Sequence, residues 1–215
     1  MSGAGWSESP RQGHAGERTP PSASSAQLAV GDTERYEEEY TLGQGGMGVV
    51  QAVLDHRLGR RLALKRTRAP DELLEARLRR EIRILASLQH PGIVPLLEAG
   101  VDDQGRPWYT MPKLPGRTLE EELSEGGGAD KEQRSKLLRP MLAVCQAVAH
   151  AHQQGFVHRD LKPANVIVGG QGQTFVLDWG LARWVDEPED APVELLEASP
   201  TVSESNDLTA YGQVL

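Results

Sequence analysis

Apolar and polar positions from Tyr36 to Arg66 follow a strand-like pattern. Tyr40-Thr41-Leu42 runs into a glycine cluster, and Val49 to Leu54 reads as a second strand. After a turn at Asp55 to Gly59, Arg61 to Arg66 reads as a third. Leu74, Leu78, Ile82 and Leu85 then recur at helical spacing behind Asp71, a suitable N-cap. His90-Pro91-Gly92 stops that helix. Two more short strands are expected around Val94 to Ala99 and Trp108 to Met111. After Gly116, Thr118 caps a short helix through Leu123, and Gly126-Gly127-Gly128 forms a loop. A long helix follows from Lys131 to Gln154. Leu138, Met141, Leu142, Cys145, Val148 and Ala149 share a stripe of it, Cys145 is read as core, and Pro140 is a place for a kink. Phe175 to Leu177 reads as a strand, and no internal repeat is found.

Composition changes this picture at the two ends. Residues 1 to 33 are rich in Ser, Gly, Pro and Ala, a mixture that buries too little surface to order itself, so a disordered tail is expected there. From Asp186 the chain is acidic, Ser/Thr/Pro-rich and without periodicity. The 215 residues suffice for one large domain or two small lobes. A net charge of -8 argues against a general nucleic-acid surface. The single cysteine, Cys145, allows no internal disulfide and fits a reducing compartment. There is no apolar h-region at the N-terminus and no run of about 18 apolar residues, so neither a signal peptide nor a membrane segment is expected, and a cytoplasmic setting is.

Chemistry enters first at LGQGGMGVV, Leu42 to Val50, where Gly43, Gly45 and Gly48 stand as G-x-G-x-x-G. Glycines there let backbone N–H groups approach phosphate oxygens. A glycine-rich hairpin explains the same letters. A dinucleotide-binding turn needs a helix next, but Val49 onward reads as strand, and the Gly-Lys-Ser/Thr of a Walker loop is absent. In LALK, Ala63 and Lys65 share one strand face, the first leaving room for a flat ring and the second able to reach phosphates. Glu81, on the following helix, is a carboxylate that could hold Lys65. On spacing alone a solvated edge lysine and a surface helix charge remain open readings of this pair.

Residues 157 to 168, VHRDLKPANVIV, set Arg159, Asp160, Lys162 and Asn165 between apolar flanks. LGQGGMGVV, LALK, Glu81, HRDLKPAN and LDWGLA together resemble the eukaryotic-like (Hanks-type) Ser/Thr protein kinases, bacterial members above all, over about residues 36 to 183. The resemblance implies an α+β, two-lobe kinase fold. Its N-lobe, residues 34–115, would have five strands and one long helix, and a partial helical C-lobe would span 116–183. Residues 184–215 would be an activation segment, cut short and disordered.

The resemblance also implies ATP and Mg²⁺ as cofactors and a protein Ser/Thr hydroxyl as substrate. Asp160 would accept or orient the hydroxyl proton, Lys162 would neutralise the transferring phosphoryl group, and Asn165 and Asp178 would bind metal. Leu42, Gly43, Gly45, Gly46, Gly48, Val50, Ala63, Lys65, Glu81, Met111, Leu114 and Ile167 would form the nucleotide site. Within it Met111 would stand beside the adenine pocket, Pro112 and Leu114 in the hinge, and Ile167 under adenine. His158 would be structural. Thr201, Ser203, Ser205 and Thr209 would be candidate phosphorylation sites, with Arg159 able to pair with a phosphate.

Two departures stand out: Trp179 replaces the Phe of D-F-G, and no A-P-E-like motif or helical subdomain follows before Leu215. The sequence thus reads as a kinase domain cut inside its activation loop. The alternative reading is a non-catalytic nucleotide-binding or interaction module.

Overall fold

The computed structural model describes residues 28–46, 48–125, 131–170 and 172–187. The expected N-terminal tail before residue 28, the Gly126-Gly127-Gly128 loop and the candidate phosphorylation sites at 201, 203, 205 and 209 lie outside the described residues.

Five antiparallel strands form the N-lobe sheet. They are β1 (Tyr36–Gly45), β2 (Gly48–Asp55), β3 (Arg60–Arg66), β4 (Glu98–Val101) and β5 (Pro107–Pro112), in the order β1-β2-β3-β5-β4. Between β3 and β4 runs α1 (Glu72–Ser87). Its N-terminus is capped as expected, the Asp71 carboxylate accepting the Leu74 N–H at 2.9 Å. Leu78, Ile82, Ile84 and Leu85 turn inward. Strand β4 begins at Glu98, later than the sequence pattern suggests. The apolar residues just before it do other work, since Ile93 bridges Val176 and Val94 is buried in the core.

The second half is built from β6 (Arg117–Thr118), α2 (Leu119–Glu125), α3 (Lys131–Gln153), β7 (Phe156–Val157), β8 (Val166–Val168), β9 (Thr174–Val176) and β10 (Arg183–Trp184). Thr118 and Glu121 form a reciprocal capping box at the start of α2, Oγ1 accepting the Glu121 N–H at 3.2 Å and the Glu121 carboxylate accepting the Thr118 N–H at 2.8 Å. β6, β8 and β9 make one small sheet, and β7 with β10 another. One core spans both halves. It takes in Leu78, Ile82 and Tyr109 from above, and Val144, Ala147, Phe156 and Val176 from below.

Three expectations are corrected. Residues 28 to 33 were assigned to the tail by composition, yet Val30 bridges Val101, with Gly31 N–H donating to Val101 O and Val101 N–H to Ala29 O at 3.0 Å each. A 3₁₀ turn at Thr33–Arg35 then leads into β1. This strap stays down because Arg35 forks onto the buried Asp55 at 2.6 and 2.7 Å and reaches Glu98 at 2.9 Å. Cys145 is exposed, not core: α3 packs inward through Val144, Ala147 and Ala151, so Leu138, Met141, Leu142 and Cys145 face outward. Third, the strand expected at Phe175 to Leu177 is Thr174–Val176, because Leu177 N–H is taken by Asn165 O.

Candidate active site

A cleft of about 610 Å³ lies beneath the β1–β2 hairpin. From the hairpin it is lined by Gly43, Gln44, Gly45, Gly46, Gly48 and Val50, and from the sheet by Lys65, Tyr109 and Met111. Asp160, Lys162, Ala164, Asn165, Leu177, Asp178 and Leu181 line the opposite wall, with Val94 between. Gly48 is demanded by packing, because a Cβ there would sit 2.3 Å from Arg66 O. At Gly43, Gly45 and Gly46 a Cβ would meet no protein atom within 4 Å. The protein's own packing therefore gives no reason for glycine at those three positions, whereas a ligand lying against the backbone does.

On the upper wall Lys65 is almost wholly buried and its Nζ donates to both Glu81 oxygens at 2.8 Å and to Asp178 Oδ1 at 3.0 Å. Burial pushes the ammonium pKa down, but attraction to Glu81 and Asp178 outweighs it, and the lysine stays charged above its ordinary range. Tyr109 donates its hydroxyl to Glu81 at 3.0 Å, and burial then the Glu81 charge push its own pKa far up. Glu81 is therefore a buried anchor, not a surface helix charge.

The lower wall is a compact network. Lys162 Nζ donates to Asp160 Oδ2 at 2.8 Å, and Asn165 Nδ2 donates to Asp160 O at 2.8 Å and to Oδ2 at 3.0 Å. The Lys162 and Asn165 hydrogen bonds hold the Asp160 carboxyl below its usual range despite partial desolvation. A 3₁₀ turn at Pro163–Asn165, opened by a proline at its first position, delivers Asn165. His158 supports this loop from inside: its Nε2 bonds Leu177 O at 2.9 Å, its Nδ1 accepts the Asp160 N–H at 3.3 Å, and burial pushes its pKa below the ordinary range. Its ring meets the fully buried Trp179 edge to face at 4.6 Å. Arg159 and Asp178 have φ of 65° and 57°, a left-handed conformation uncommon for residues other than glycine and concentrated at functional sites.

Most residues singled out from the sequence therefore come together. Glu81 stands behind Lys65. Leu42, Ala63, Leu114 and Ile167 are not among the residues lining the cleft. Leu42 is exposed, Ala63 lies in the core beside Met111 in the sheet, and Ile167 sits on β8 opposite Phe175. Sequence reading missed Gln44, Val94, Tyr109, Ala164, Leu177 and Leu181. Tyr109 was within reach, because strand alternation puts it on the Met111 face.

Over residues 36–202 the chain matches the family described as Protein kinase domain. It belongs to that family. The chain is 36% identical over 191 residues to serine/threonine-protein kinase PknD of Protochlamydia amoebophila, a match covering 81% of this chain and 19% of that protein. It is 41% identical over 155 residues to a protein named as a probable serine/threonine-protein kinase of Streptomyces coelicolor, covering 69% and 23%. With the probable serine/threonine-protein kinase PknB of Corynebacterium glutamicum it shares 36% over 164 residues, covering 74% and 25%. The chain thus spans about a fifth to a quarter of the length of these curated relatives. The described residues form part of a two-lobe kinase fold. The family in general takes ATP as phosphoryl donor and uses a divalent metal. No helix among the described residues is long and apolar enough to cross a membrane.

Proposed function

We propose that this chain carries the nucleotide-binding and phosphoryl-transfer machinery of a serine/threonine protein kinase, acting in the cytoplasm on protein hydroxyls with Mg-ATP. The observation that carries the proposal is the cleft itself. Lys65 is held by Glu81 and Asp178 on one side, Asp160, Lys162 and Asn165 face it on the other, and packing does not explain three glycines of its roof.

In this reading the backbone of Gly43 to Gly48 lies along the phosphates, and Lys65, already charged, binds their oxygens by exchanging its Asp178 bond for them, since all three of its Nζ protons are engaged. Val50 and Met111, which line the cleft, receive the adenine. Asp178 and the Asn165 carbonyl oxygen fit a hard cation, since the Asn165 amide nitrogen is the atom spent on Asp160. Magnesium, when bound, neutralises charge on the phosphates. Asp160, kept ionised by its depressed pKa, accepts a hydrogen bond from the substrate hydroxyl and orients it, receiving the proton as the bond to phosphorus forms, and Lys162 offsets charge on the phosphoryl group in flight. Lys162, two residues after Asp160, favours a protein hydroxyl of the Ser/Thr type as acceptor.

Two variants separate binding from chemistry. Lys65→Met is expected to weaken Mg-ATP binding at least tenfold by fluorescent-nucleotide titration. Asp160→Asn is expected to bind within about threefold of the parent and to lose phosphate transfer by ~10² or more. Transfer by Asp160→Asn within tenfold of the parent would remove Asp160 from its role.

A further inference from the structure

Arginines gather on the N-lobe sheet beyond the cleft. Strand alternation sends Lys65 into the cleft and Arg66, next along β3, to the opposite face, where its partner across β5 is Trp108. There Arg66, Arg68 and Arg106 line a hollow of about 250 Å³ together with Gln44, Val49 and Thr67. The three arginines come from the end of β3, the link to α1 and the β4–β5 turn. Gln44, at the tip of the β1–β2 hairpin, lines both the hollow and the cleft.

The charges of this hollow are unequally answered. Arg66 Nη2 meets Glu38 Oε1 at 2.5 Å, and Arg106 Nε and Nη2 reach Asp102 Oδ2 at 2.8 and 2.7 Å. Each carboxylate serves other donors too: Gln51 Nε2 on Glu38, and the Gln104 and Arg106 N–H groups on Asp102 at 3.0 Å. Both carboxylates line a smaller inner chamber and not the hollow. Arg68 has no carboxylate partner among the described residues. It meets the neutral Gln44 amide, whose oxygen, turned toward it, accepts from Nη1 and Nη2 at 2.7 Å. Three guanidiniums thus face a hollow that no carboxylate lines, and like charges so placed favour an anion between them.

Thr67 is a second, independent pointer. It is 3% exposed and lines both the hollow and the inner chamber. Its Oγ1 is buried without a hydrogen-bond partner, which is rare for a buried hydroxyl. At about 250 Å³ the hollow is smaller than the ~300–1,000 Å³ of ordinary ligand pockets, so it suits a single group and not a whole cofactor. Guanidinium forks beside a hydroxyl match a phosphate group, which offers three acceptor oxygens and about two negative charges at neutral pH.

We propose that Arg66, Arg68, Arg106 and Thr67 form a binding site for a phosphate group, separate from the nucleotide cleft. The group is either free phosphate or the phosphorylated side chain of a peptide. This site goes beyond the phosphoryl-transfer reading and does not depend on it.

The test is calorimetric titration of the whole chain with three probes, with Arg Nε–H and Thr67 amide shifts followed by NMR. The probes are inorganic phosphate, the peptide acetyl-Ala-phosphoserine-Ala-amide and the same peptide without phosphate. At least one phosphate-bearing probe is expected to bind tenfold or more tighter than the plain peptide and to shift the Arg68, Arg106 and Thr67 signals. Arg68→Gln, on an exposed side chain whose loss leaves the packing intact, should weaken that binding at least fivefold. Thr67→Val, which keeps shape and removes the hydroxyl, should weaken it at least threefold. Phosphopeptide bound more tightly than inorganic phosphate makes the phosphorylated side chain the ligand, and the reverse order makes it the free anion. Lys65→Met separates the site from the cleft, because a phosphate lodged among the glycines would be lost in that variant and one held by the arginines would stay within twofold. Equal binding of all three probes overturns the site. So does binding that Lys65→Met abolishes while Arg68→Gln and Thr67→Val leave it within twofold.

Discussion

Lys65 shows how single residues set the character of this site. Its burial alone would favour a neutral amine, and it is two carboxylates that keep it charged. Replacing Glu81 by Gln removes one of them while leaving Asp178 in place at 3.0 Å. The Lys65 pKa is then expected to fall, read from the Nζ chemical shift against pH, and an unchanged titration would mean that Asp178 carries the whole effect. Trp179 raises a different residue-level question, since it fills the place of a smaller Phe. It is fully buried against His158 and belongs to the same core as Leu78 and Ile82. Trp179→Phe should leave a void and cost about 1–3 kcal/mol in a denaturant titration. It should also loosen the His158 ring that accepts the Asp160 N–H, so faster amide exchange at Asp160 is expected alongside.

Elements differ in how much their sequences disclosed. Helix α1 was legible from cap to stop, because Asp71, the 3.6-residue period and His90-Pro91-Gly92 are local signals with local causes. The strap before β1 was not. Its residues look like tail by composition, and what orders them is distant: Val101 across a bridge, Asp55 and Glu98 across the Arg35 fork. Tyr36 joins the same network, its hydroxyl donating to Glu98 at 2.7 Å and its pKa pushed up to about 12 by burial and that carboxylate. The His90–His150 stack at 5.3 Å was equally illegible, for its partners sit on elements 60 residues apart in sequence.

The network predicts a pH response for the strap. The Arg35 guanidinium lowers the Asp55 pKa from 3.8 to about 2. A carboxylate depressed in the folded state adds stability above its unfolded pKa and loses it as pH falls through the folded one. Tm should therefore drop between about pH 4 and pH 2, and Asp55→Asn should start lower and lose less over that interval. A parallel decline in both proteins would assign the acid sensitivity elsewhere.

At the scale of the whole molecule, α3 is the element whose sequence pattern was ambiguous in a physically simple way. It has apolar residues on two faces, and periodicity cannot say which is covered. The described residues bury Val144, Ala147 and Ala151 against β7 and β9, while Leu138, Met141 and Leu142 stand 69%, 49% and 60% exposed. The two faces should then answer mutation in opposite ways. Leu138→Gln with Leu142→Gln, made in this 215-residue chain, replaces wet apolar surface by polar surface, and its stability should change by no more than about 0.5 kcal/mol. Self-association, followed by light scattering, should decrease, because contiguous exposed apolar area favours association. Ala147→Gln places a long polar side chain where there is no room, Ala147 being wholly inaccessible, and should cost about 1–3 kcal/mol or more. Equal losses on both faces would mean that the Leu138–Leu142 face is covered in solution by part of this same chain. Loss on the Ala147 face alone, with less association from the outer one, is what the packing of α3 requires.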